Sequence, residues 1–239
     1  MNIALCSPKD LLAPENRKPM VVLLLTPFLL TTFKYYGSKA FYLSHLAGRF
    51  AALGEVGRTA ELYQFLSAFL LLGLIPALVT RFGFREPLRT CGLQWGDVGY
   101  SFKALLVMLP LAVLAAYPSA QSPEFMAEYP FNKEAGRSAG EFIGHAAAYL
   151  LYYLGWEFFF RGFLQHGLCD RFGPGNAILV QTVASCLIHI GKPAPEIYGS
   201  ILAGLVWGFI VFRARSLWAV LLIHWTLGVA LDYFICFHG

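Results

Sequence analysis

The chain has 239 residues, 57% hydrophobic, 16% aromatic and only 13% charged, with a mean hydropathy of +0.58. Soluble domains carry about a quarter charged residues, so most of this surface has to face lipid. The net charge of +4 comes without a dense Lys/Arg stripe, which speaks against a nucleic-acid partner and suits basic loops beside a bilayer.

The first apolar run, 19–33, follows a polar-mixed stretch with no clear small-residue cleavage site, so it reads as a retained membrane segment. It can extend past Lys34, which snorkels to the interface. Next comes 39–58, with Phe41, Leu46, Phe50 and Leu53 among Lys39, His45, Arg49 and Arg58. This interval is an amphipathic interfacial helix, a structured loop or an eighth, poor span. Charge-free stretches then recur at 62–80, 104–122, 142–156, 172–191, 197–212 and 216–231. The expected fold is all-α: one integral membrane domain over 1–239, a polytopic bundle of about seven to eight transmembrane helices. Residues 1–140 supply its N-terminal helices and 141–237 its core. The loop 123–138 between the third and fourth spans is mildly acidic. The five cysteines show no paired spacing, which argues against a disulfide framework or a zinc–thiolate site.

The fourth stretch, 142–156, is too short to span. At about 1.5 Å per residue it covers roughly 22 Å of a hydrocarbon core about 30 Å thick. The helix therefore continues through Glu157 and Arg161 to Leu168, which puts a charged pair in the bilayer or at its edge. By the same reasoning the last helix runs past Asp232 towards Phe237. Lys and Arg are more numerous on the side that holds Lys9, Arg17, Lys18, Arg81, Arg85 and Arg89, which predicts a cytoplasmic N-terminus.

Residues four apart share a helix face. Three polar rows result: Glu157, Arg161 and Gln165; Gln181, Ser185 and His189; His224, Gly228 and Asp232. Lipid satisfies none of these groups, so the rows are expected to face the bundle interior and to meet there, with Gly228 leaving room. A carboxylate in an apolar pocket suits proton abstraction, and imidazoles bind water or donate to an oxyanion. The plainer reading is structural: the Glu–Arg pair neutralises itself, the histidines hydrogen-bond across helices and His189 caps a helix end. Gly199 and Gly204 are expected at close helix contacts. Phe158–Phe160 read as packing or lipid-facing, Trp207, Trp218 and Trp225 as packing or interfacial anchors, and His145 and His166 as structural.

Glu157-x-x-x-Arg161, a helix ending in His189, and His224 after Arg215-Ser-Leu-Trp218 together resemble the CAAX-protease and bacteriocin-processing (CPBP, or Abi) intramembrane peptidases. That family's pattern is Glu-Glu-x-x-x-Arg, then Phe-x-x-x-His, then His-x-x-x-Asn, and the resemblance covers about 141–237. Three positions depart from it: Trp156 stands at the first glutamate, Ser185 at the phenylalanine and Gly228 at the asparagine. The family's first glutamate activates the water, a role that does not transfer to a tryptophan. The stretch from His189 to Glu196 looks like a feature of a Trp-Glu subgroup.

The resemblance implies an intramembrane endopeptidase that cuts a peptide or a membrane-anchored protein. In that reading Glu157 activates water, His189 assists, His224 stabilises the oxyanion and Arg161 orients Glu157. Lys192, Glu196 and Trp156 are substrate-binding residues near the mouth. No cofactor is required, although Glu157, His189 and His224 form a recognised Zn²⁺ ligand set. The alternatives are a proton-coupled carrier and a catalytically inactive scaffold of the same family. The lipid bilayer is a partner in every case, and the cell's inner (plasma) membrane is the expected location.

Overall fold

The structure is a computed structural model that describes residues 13–238; Cys6 and Lys9 lie outside the described residues. The described chain is helical, without strands. Helix α1 (Pro14–Tyr36) has proline in its first turn, where no intrahelical donor is lost. Helix α2 (Lys39–His45) is a seven-residue helix capped by the Ser38 side chain. It is followed by turns, which settles the interval 39–58: seven residues reach roughly 10 Å, far short of a bilayer.

Helix α3 (Val56–Gly83) is capped by Glu55, whose carboxylate accepts from Gly57 and Arg58 amides. Its C-terminal half contains two π-turns, Phe69–Leu74 and Val79–Gly83. Helix α4 (Val98–Ala120) starts at Asp97, which accepts from the Tyr100 amide. The acidic loop folds into the short helix α5 (Pro123–Glu128) and a turn of 3₁₀ helix.

Helix α6 (Ala139–Glu157) begins at the Ser138 cap. It passes without a break through a π-helical segment, Phe158–Leu164, into α7 (Gln165–Ile188). The helix thus runs straight through Glu157 and Arg161, as the length arithmetic requires. It breaks at Gly173, whose φ of 76° leaves the helical region, and Pro174 starts the next helical stretch. Helices α8 (Ala194–Ala214) and α9 (Trp218–His238) follow, and α9 continues past Asp232 as expected.

All seven predicted spans fall on helices. Five of these, α1, α3, α4, α8 and α9, are long and apolar enough to cross a membrane; the stretch that carries Glu157 and Arg161 lies between them in sequence. The protein is an integral membrane protein built as a polytopic helical bundle. Helix α4 presents Phe102, Leu106, Val107 and Leu114 outward, an apolar face suited to lipid. Its other side lies along α9, while α6 packs on α3 and α7 on α8.

Two apolar clusters form the core. One gathers Trp156, Phe158, Phe159, Phe160 and Phe163 with residues of α1, α3, α8 and α9. The other centres on Phe65, Phe131, Tyr149 and Tyr153. Phe158–Phe160 are fully inside, so their role is packing and not contact with lipid. At Gly155 an added Cβ would stand 2.6 Å from the Ala68 carbonyl, so α6 meets α3 backbone to backbone there. The Lys34 ammonium donates to the Ile190 carbonyl and ties α1 to the turn after α7. Cys91, Cys169, Cys186 and Cys236 are all free thiols.

Candidate active site

The π-helical segment brings the first polar row to the centre of the bundle. Glu157 ends α6 and Arg161 lies within the π-segment; each is 1% exposed. Arg161 Nη1 lies 3.3 Å from Glu157 Oε1, and its guanidinium lies 5.4 Å from the Trp207 ring centroid. The same Oε1 accepts from His224 Nδ1 at 2.5 Å. One carboxylate oxygen therefore takes a guanidinium and an imidazole from two separate helices. Its other oxygen, Oε2, is buried with no partner. Taking these charges out of water is costly and is offset only while they stay together.

His189 is the C-cap of α7, and its Nδ1 donates to the Ser185 carbonyl at 2.6 Å. This hydrogen bond fixes the tautomer and leaves Nε2 as the free ring nitrogen. His224 is anchored the same way, through Nδ1. Both imidazoles line one cavity of about 510 Å³, whose walls come mainly from α4, α8 and α9. Most of that wall is apolar, including Met108, Leu111, Leu202 and Val206. The polar groups that reach it include Arg161, Ser185, Glu196, Ser200 and the phenols of Tyr129, Tyr149 and Tyr153.

Not every predicted site residue faces the cavity. Glu157 sits behind His224 and does not line it. Trp156 is buried, stacked on Tyr152 and packed edge-on against His189 at 5.5 Å. It therefore supports His189 from behind and lies outside the cavity lining. Lys192 does not line the cavity; it is paired with Glu128 and lies 3.2 Å from the hydroxyl of Tyr129, which does. Glu196 lines the cavity itself, with Oε1 accepting from Tyr129 at 2.8 Å.

The three rows converge only in part. Gln165 donates to the Gly208 carbonyl and Gln181 to the Gly204 carbonyl, so both brace α7 against α8. Gly204 provides the expected close contact, since a Cβ there would lie 2.7 Å from Thr182. Gly199 does not: a Cβ there would meet nothing within 4 Å, and the residue borders the cavity. Trp207 packs against His224 at 4.6 Å between ring centroids. Trp225 donates to the Ala146 carbonyl and joins α9 to α6.

Asp232 leaves its own row for a second cluster. His145 Nε2 lies 2.8 Å from Asp232 Oδ2, and its Nδ1 lies 2.7 Å from Glu61 Oε1. All three are buried. Sequence reading missed Glu61 altogether and set His145 aside. The available signal was an isolated acid in the apolar 62–80 helix, one residue before the charge-free stretch begins.

A Zn²⁺ site does not fit this arrangement. Glu157 is spent on the Nδ1 side of His224, whereas the free nitrogen, Nε2, faces the cavity. Among the described residues no three His, Cys, Asp or Glu groups are disposed to hold a metal ion.

Residues 139–230 match the family model for the type II CAAX prenyl endopeptidase, Rce1-like. No curated protein and no solved structure matches the chain. The matched stretch starts at the first residue of α6 and contains Glu157, Arg161, His189, Glu196 and His224. Over residues 139–230 the chain is therefore similar to the CAAX-protease (CPBP) family of membrane proteins.

Proposed function

We propose that the protein is an intramembrane endopeptidase that hydrolyses a peptide or a membrane-anchored protein. One observation carries this reading: two imidazoles from different helices, each anchored through Nδ1, share one cavity. A water held by His189 Nε2 attacks the scissile carbonyl carbon. His224, with its Nδ1–H on the Glu157 carboxylate, acts as the imidazolium and donates Nε2–H to the oxyanion that forms. Glu157 and Arg161 hold His224 in the donating orientation, so its dipole is aimed before charge develops. Giving Glu157 this orienting role, in place of direct water activation, rests on its burial behind His224 and its absence from the cavity wall.

Lys192, beside the Tyr129 hydroxyl, meets the polypeptide as it enters, and Trp156 backs His189. The apolar wall from α4 and α8 suits a substrate that is itself held in the bilayer. We place the protein in the plasma (inner) membrane with a cytoplasmic N-terminus, on the Lys/Arg bias.

The test is a cleavage assay on full-length protein in proteoliposomes. Quenched-fluorescent peptides, with and without a C-terminal lipid anchor, serve as substrates. His224→Ala and His189→Ala should each lower kcat by about 100-fold or more. Wild-type rates in both variants would overturn the peptidase reading.

A second reading, a catalytically inactive scaffold, is favoured by one feature. Trp156 occupies the position of the family's first glutamate and is buried with no hydrogen-bond partner for its indole nitrogen. It predicts no cleavage by the wild type, and a cellular role that His224→Ala leaves intact.

A further inference from the structure

Hydrolysis requires a group that takes a proton from the attacking water. Among the residues that line the cavity, one carboxylate is present: Glu196. Its Oε1 lies 3.9 Å from His189 Nε2. That gap is too long for a direct hydrogen bond, yet one water can contact both atoms at about 2.8 Å. Oε1 is held by the Tyr129 hydroxyl at 2.8 Å, and Oε2 is buried without a protein partner. The backbone around it is stiff, because Glu196 lies in the first turn of α8 behind Pro193 and Pro195. The charges beside it are Lys192, Glu128 and, from α1, Lys34.

We infer that Glu196 is the water-activating base of this site, acting with His189, while Glu157 serves only to orient His224. This rests on the peptidase reading above. In the step, the water oxygen bonds to the peptide carbonyl carbon as one of its protons passes to the Glu196 carboxylate. The oxyanion is held by His224. The carbon–nitrogen bond then breaks as Glu196 returns the proton to the leaving nitrogen. An acid and an amine are released, and the carboxylate is regenerated. The family's glutamate precedes Arg161 by five residues on the same helix, at Trp156. Here the base comes from the first turn of α8.

The charge of Glu196 and its tether to Tyr129 are separable. Glu196→Gln keeps the shape and still accepts from Tyr129, but it cannot take a proton. In the proteoliposome assay it should lower kcat by about 100-fold or more with KM within threefold. Tyr129→Phe removes the tether and leaves the carboxylate, so its loss should stay below about tenfold. Both variants should elute from detergent gel filtration as the wild type does. Glu196→Gln turning over within threefold of wild type, while His224→Ala and His189→Ala are inactive, overturns this assignment and leaves the peptidase reading in place. Equal losses in Tyr129→Phe and Glu196→Gln also overturn it, because tethering would then explain both. A wild type that cleaves none of the peptides overturns the peptidase reading and this inference together.

Discussion

His224 and Glu157 are 67 residues apart in the chain and 2.5 Å apart in space, imidazole Nδ1 to carboxylate Oε1. The contact joins α9 to the end of α6 and leaves His224 Nε2 as the nitrogen free for the cavity. Arg161 closes the group from the same carboxylate oxygen.

Removing the Glu157 charge is expected to have two separable effects. Glu157→Gln leaves Arg161 buried and uncompensated, which should destabilise the fold by about 3–5 kcal/mol. It also loosens His224 and lowers kcat. Glu157→Gln combined with Arg161→Met should recover stability, because no buried charge remains, but not turnover. Thermal unfolding in detergent alongside the cleavage assay checks this. Recovery of both properties together would show that the pair only holds the helices.

Gly228 and Tyr153 compete for one volume. A Cβ at 228 would stand 2.1 Å from the Tyr153 hydroxyl and 2.9 Å from its Cζ. Gly228→Ala is therefore expected to displace Tyr153, destabilise the protein by about 1–3 kcal/mol through overpacking, and disturb the ring that packs on His224 at 4.4 Å. Gly228→Ala with Tyr153→Ala should restore the helix contact. The unfolding temperatures of the single and double variants read this directly.

The Glu61–His145–Asp232 cluster predicts a purely structural loss. It joins α3, α6 and α9, and none of its members lines the cavity. His145→Leu leaves two acids buried without their shared donor and should destabilise by about 3–5 kcal/mol. Turnover per folded molecule should stay within about twofold of wild type. A selective loss of kcat in correctly folded His145→Leu would instead tie the cluster to the chemistry.

Outside the membrane, Asp97 predicts an acid-dependent term. Its carboxyl is held below the ordinary 3.8 by the Tyr100 amide first, then by Arg213. A group depressed in the folded state contributes stability above its unfolded value and loses it as pH falls through the folded one. Wild type should therefore lose, below about pH 4, a part of its stability that Asp97→Asn never had. Above that range the variant should be the less stable of the two. The difference should shrink in high salt, because the pair is exposed to solvent. Unfolding followed at a series of pH values with and without added salt measures it.

The sequence by itself determined the membrane, the helices and the residues worth watching. Composition required lipid contact, and the shortness of 142–156 forced a helix through Glu157 and Arg161. Both are consequences of bilayer thickness and helix rise, which are local and need no partner. Spacing also marked His189 and His224, since polar groups in apolar runs stand out wherever they point. The tertiary structure decided what each group touches. A rule of four placed Asp232 with His224, yet the packing of α9 turned it to His145 and Glu61. The same rule placed Gln165 and Gln181 at the site, yet both were drawn to backbone carbonyls of α8. Glu157, the group most conspicuous in the sequence, proved to lie behind an imidazole, and Glu196, marked only as a rim residue, lies on the cavity wall. Such assignments depend on the rotation and approach of helices far apart in the chain, and on π-turns that break the 3.6-residue period. No spacing along one helix records these.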